Sequence, residues 1–174
     1  MLKNFMITSA LAASMALTAT ATADNGPTDM QIAHIAYTAG NIDIRYAHLA
    51  LAKSENPAVR EFASVMLQDH KAVNDQALAL LAKLGANPED NPTSQSLMAD
   101  ANKKLNQMAD LHGANFDKAY AANELAYHKF VNKTVEGTFI PSADNREFKN
   151  LLGEALKVFK AHQKHASKMV RNLM

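Results

Sequence analysis

Imidazole and carboxylate are the side chains in this chain best suited to chemistry, because it contains seven His and seventeen Asp and Glu but no Cys. Without thiolates, these two groups are the ligands available for Zn, Cu, Fe or Mn. In "VMLQDHKAVN", residues 65–74, His70 falls at helical spacing with Val59, Phe62, Met66, Val73, Ala77, Leu80 and Leu84. The same substitution recurs elsewhere. Asp43 stands on a stripe of Ile32, Ala36, Ala39, Tyr46 and Ala50, and His162 on one of Phe148, Leu152, Ala155, Phe159, Ala166, Met169 and Leu173. A third stripe, Phe116, Tyr120, Tyr127 and Val131, carries Asp117, Glu124 and His128 at its edge, with Glu124 and His128 one turn apart on the same face.

A buried polar group without a partner is costly, so such groups pair, neutralise or bind metal. The resulting ligand set is Asp43, His70, His128, His162 and Asp117, suited to Zn, Cu or another divalent transition metal. His165, one turn from His162, is placed to assist as a second ligand. His34, His48 and His112 read as surface or boundary residues. The nine Met form no Met-x-x-Met cluster after residue 23, and Met66 on its stripe reads as core filling. Nucleophilic catalysis finds no support, since no Ser on a strained turn neighbours His and Asp, and no glycine-rich phosphate loop occurs.

These side chains must be positioned by helices, because no run alternates with period two for long enough to make a sheet. Thr28 with Gln31 forms a capping box, and a helix runs from there to about Lys53. Asn56 caps a second helix, with Pro57 in its first turn and Gly85 as its left-handed end. Residues 86–96 form a loop, and a shorter helix spans about Ser94 to Leu111. After a break at Gly113 and Asn115, a further helix runs to Glu136 and stops at Gly137. Ser142 is the expected cap of a last helix reaching Leu173. Short connections at 54–57 and 137–142 imply antiparallel neighbours. Counting back from these turns puts Asp43 within a turn of His70, His128 near Glu154, and Asp117 near His162. That suggests two polar tiers, with a single cluster as the alternative. On α-helical geometry Asp69, about 100° from His70, turns toward the flank.

Composition bounds the rest. Lys+Arg number 18 against 17 Asp+Glu, so nothing draws the chain electrostatically to nucleic acid or anionic lipid. Lys3, the apolar run 5–17 and the small-x-small Ala21-Thr22-Ala23 form a secretory signal peptide, cleaved after Ala23. Residues 24–174 are then one helical-bundle domain, secreted across the inner membrane to the periplasm, with no other stretch apolar enough to span a bilayer. The absence of Cys leaves packing alone to stabilise it.

The stretches "GNIDIRYAHLA" (40–50), "VREFASVMLQDHKAVN" (59–74), "HGANFDKAYAANELAYHKFV" (112–131) and "LKVFKAHQKHASKM" (156–169) resemble the bacterial exported family catalogued as domain of unknown function 4142, often labelled an outer membrane protein. The resemblance covers nearly all of residues 24–174. It rests most on Asp69-His70, Phe116-Asp117 with Tyr120 and His128, and His162. It implies an all-α, ferritin-like up-down four-helix bundle with an extra helical segment between the second and third long helices. Two positions depart from the family's pattern. Asp43 stands where Glu is usual, and Leu156-Lys157 where Leu-Pro is usual. A di-iron centre is not expected, because it needs Glu-x-x-His on two helices and no Asp or Glu here has a His three residues later. Two readings stand open. One is a non-enzymatic exported bundle that binds a transition metal or supports envelope stress tolerance. The other is a structural or protein-interaction module whose buried His and Asp only form hydrogen bonds. Elemental analysis of untagged protein discriminates them.

Overall fold

The computed structural model describes residues 26–174; the expected signal segment and cleavage site lie outside the described residues. All regular structure among the described residues is helical. Helix α1 spans Asp29–Lys53 behind a formed capping box, in which Thr28 Oγ1 accepts from the Gln31 backbone (3.3 Å) and Gln31 Oε1 from the Thr28 backbone (3.2 Å). Helix α2 spans Pro57–Lys83 and is capped by Asn56, whose Oδ1 accepts from Ala58 N at 2.9 Å. Gly85 follows it at φ 64°, a conformation that costs glycine nothing and other residues much. Helix α3, Pro92–Ala109, is capped by Asn91, so it starts slightly earlier than expected.

The largest departure from the sequence reading lies after α4, Gly113–Thr134. The chain does not stop at Gly137 but continues through a π-helical turn, Val135–Phe139, into the short α5, Ile140–Ser142. Gly137 keeps a negative φ, so it supplies none of the left-handed geometry by which glycine ends a helix. Ser142 closes α5 rather than capping the last helix. Asn145 is the cap of α6, Arg146–Leu173, its Oδ1 accepting from Phe148 N at 2.9 Å.

The long helices pack α1 on α2, α2 on α6, α6 on α4 and α4 on α1, with α3 laid against α1. Ala33 and Ala47, one heptad either side of Gly40, are buried on the face where Gly40 meets Asn74 of α2. Helix α3, bonded through His34 and Arg45, covers the flank of Ile35 and Ile42. Both faces lie beyond the expected stripe of α1. Helix α2 has no such cover, and its stripe turns before its end: Leu81 is buried while Leu84 is 40% exposed. The core falls into two apolar clusters. One gathers Tyr46, Phe62, Met66, Phe116, Tyr120 and Met169. The other gathers Ile32, Leu81, Val131, Phe139, Leu152 and Phe159. On α2, α4 and α6 the chain passes from one cluster to the other through His70, Glu124 with His128, and His162. No described helix is long and apolar enough to cross a membrane.

Candidate metal centre

The four helices of the ring each bring polar side chains to this level. Asp43 comes from α1, His70 from α2, Glu124 and His128 from α4, and His162 from α6, all at most 3% exposed. Phe116, Tyr120, Glu124 and His128 form one four-residue row on α4, which carries the latter two inward. The ligand atoms fall into two triads, His70–His128–His162 and Asp43–Glu124–His128, each with its atoms within 4.8 Å of one another. Two donors on one ion stand at most about 4.2 Å apart at ordinary metal–nitrogen distances. Three donors sharing one ion stand closer still, about 3.4–3.6 Å apart, so side-chain shifts of up to about 0.8 Å would close either set.

Hydrogen bonding fixes which nitrogens are free. His128 Nδ1 lies 3.0 Å from the Glu124 carbonyl, which can only accept, so Nδ1 carries the proton and Nε2 the lone pair. His162 Nε2 donates to Asp69 Oδ2 at 2.9 Å, which leaves Nδ1 as its lone-pair nitrogen. A ring held by its far N–H on a carbonyl or carboxylate is the usual arrangement of a metal-ligating imidazole. The freed atoms, His128 Nε2 and His162 Nδ1, have no hydrogen-bond partner, and neither do both nitrogens of His70 or all four carboxylate oxygens of Asp43 and Glu124. Asp43 Oδ2 stands 3.3 Å from His70 Nε2 and 3.5 Å from His128 Nε2. A lone pair facing a carboxylate is repulsive unless a proton or a cation lies between them.

Burial sets the protonation. It pushes Asp43 up to about 8 and, with the charge of Asp43, pushes Glu124 well above the usual carboxylate range. Burial likewise lowers the imidazoles: His70 well below its ordinary value, helped by His128 and His162; His128 to about 4, helped by His162; and His162 against the opposing pull of Asp69. The rings are neutral at pH 7, so no proton competes for their lone pairs. The carboxyl groups retain protons that a divalent ion would displace.

Of the residues singled out from the sequence, Asp43, His70, His128 and His162 come together, and Asp117 stands apart. Asp117 accepts from Ser54 Oγ at 2.5 Å, about 16 Å along α4 from His128 by the helical rise. It therefore does not meet His162, contrary to the count back from the turns. Nor does His128 meet Glu154, which is exposed and bound to Lys157. His165 packs edge-on against Phe62 and belongs to neither triad. Sequence reasoning leaves Glu124 at a stripe edge, although its place in the four-residue row is a signal for burial. Asp69 turns to the flank as expected, yet it still reaches His162 across the α2–α6 interface, and no spacing rule within α2 announces that.

A family model described as "Domain of unknown function (DUF4142)" matches residues 13–169. No curated protein matches the chain. Among solved structures, CopM in the Cu(II)-bound form is similar in fold, with a TM-score of 0.65 at 13% identity, over 86% of this chain and 99% of that one.

Proposed function

The chain belongs to the family described as a domain of unknown function (DUF4142), and from that premise we propose that it is a non-enzymatic helical bundle holding one divalent transition-metal ion in the buried tier. The observation that carries this reading is the opposition of His128 Nε2 to Asp43 Oδ2 at 3.5 Å, both without a hydrogen-bond partner. A cation between them removes the repulsion and uses the lone pairs of His70 and His162 as well. One ion is proposed because His128 is common to both triads and has a single free nitrogen. Cu(II) is the first choice. A nitrogen- and oxygen-donor set binds it more tightly than other first-row divalent ions, and the likeness to Cu(II)-bound CopM supports the same choice. The ion is bound and stored here rather than used on a substrate. The signal-peptide pattern of residues 1–23 supports export to the periplasm, where such a site would buffer metal and aid envelope stress tolerance.

A second reading has its own support. With Asp43 raised to about 8, a carboxyl proton can take the cation's place, and the tier then acts as a purely structural polar layer. Isothermal titration of untagged, chelator-stripped protein with Cu(II) and Zn(II) separates the two. One equivalent bound in wild type and none in His128→Ala is the expected result. Uptake of the same single ion by His128→Ala, or none by wild type, refutes the metal reading. N-terminal sequencing of protein from the periplasmic fraction should begin at Asp24.

A further inference from the structure

Resting on the metal-binding reading, the geometry points to a pocket for a small, neutral, azole-like ligand that donates one lone pair to the ion. A cavity of about 70 Å³ lies beside the tier, with His70 and His128 in its wall. An ion held among the imidazoles therefore borders it. The rest of the wall is predominantly apolar, including Val73, Val135, Leu152 and Phe159. Such a lining disfavours charged or strongly hydrated molecules, which would lose their water without compensation. One water requires roughly 10–15 Å³ of such space, so the cavity has room for more than a single water.

Two further features suit this occupant. The His70 ring is stacked on Phe159 at 5.0 Å and 9°, so the imidazole is held in place in the wall and a flat guest can lie against the aromatic surface that the pair leaves open. The π-turn Val135–Phe139 contributes both of its end residues to the wall, and such bulges occur frequently at functional sites. Phe130, which also lines the cavity, is 50% exposed and marks where the cavity meets solvent. A ligand entering beside Phe130 would lay its ring along the apolar wall and present its lone pair at the His70–His128 end.

The test is a titration of Cu(II)-loaded protein with imidazole at pH 8, followed by visible absorption and electron paramagnetic resonance. A saturable spectral change at one imidazole per copper, with copper retained on gel filtration, is expected. Ala155→Leu and Ala77→Leu, which narrow the cavity, should bind copper as wild type does but weaken imidazole at least tenfold. No spectral change in copper-loaded wild type, an equal response in both narrowed variants, or extraction of the copper by imidazole overturns the proposal. Benzene added to the metal-free protein reads the cavity without the ion, and should raise the melting temperature of wild type more than of either variant; an equal rise counts against the pocket. Failure of copper to bind at all would sink the metal reading itself, and is distinguishable because it precedes any addition of imidazole.

Discussion

Replacing His70 with Leu should reverse the order of stability of the two proteins according to whether metal is present. In the metal-free chain neither His70 nitrogen has a hydrogen-bond partner, and the residue is 3% exposed. A buried polar group left unbonded costs about 1–3 kcal/mol by mutational measures, a cost that Leu removes. Against this stands the lost stacking on Phe159, worth about 0.5–1.5 kcal/mol beyond its buried area. The balance favours the variant by about 1 kcal/mol, or about 2–4 °C in melting temperature for a chain of this size. With Cu(II) at about a hundred times its dissociation constant, wild type should gain about 2.7 kcal/mol by mass action, or about 5–11 °C. The variant, short of one donor, should gain far less at the same free copper. Calorimetric melts with chelator and with buffered Cu(II) measure both arms. A variant destabilised by more than about 1 kcal/mol without metal would show that the imidazole is engaged by the protein. An undiminished copper-induced rise would show that His70 is no ligand.

Three further outcomes rest on the same geometry. Asp69→Asn removes the carboxylate that fixes the His162 tautomer and should weaken Cu(II) by about 10–100-fold, read by competition with a chelator of known affinity; unchanged affinity would refute the orienting role. In metal-free protein, Asp43 and Glu124 hold protons that the unfolded chain has lost, because their folded values are raised, so they make stability fall as pH rises from their ordinary range to about 8. The lowered imidazoles act in the opposite sense, but only below about 6.5, where the unfolded chain's histidines take up protons. Stability should therefore decline between pH 6.5 and 8, measured as the urea midpoint, and a rise across that interval would contradict the buried-carboxyl assignment. Asp117→Ala breaks the buried bond to Ser54 and should cost about 1–3 kcal/mol while leaving copper affinity as in wild type; weakened copper would return Asp117 to the site.

Several helix boundaries were legible in the sequence from local signals, although Asn91 and Asn145 cap helices where Ser94 and Ser142 were expected. The Thr28–Gln31 box, Asn56 before Pro57, and Gly85 each act within one turn of chain and depend on nothing distant. The inward face was legible for the same reason, since a period of 100° per residue sets Asp43, His70 and His162 on apolar stripes whatever the helices pack against. Helices α1 and α2 were exceptions in part: α3 covers a flank of α1 that its own periodicity leaves open, and the α2 stripe turns so that Leu81 is buried and Leu84 exposed. What periodicity lacks is height. Residues on different helices meet only when loop path and packing fix the axial offset between them. Hence His128 joins Asp43, His70 and His162 instead of nearing Glu154, and Asp117 ends beside Ser54. The continuation of α4 through the π-turn at 135–139 carries the chain past Gly137, so the short turn from which those heights were counted is not there. Asp69 reaching His162 across two helices is likewise a tertiary fact. Local chemistry decided which side chains face inward, and the packing of whole helices decided which of them share one level.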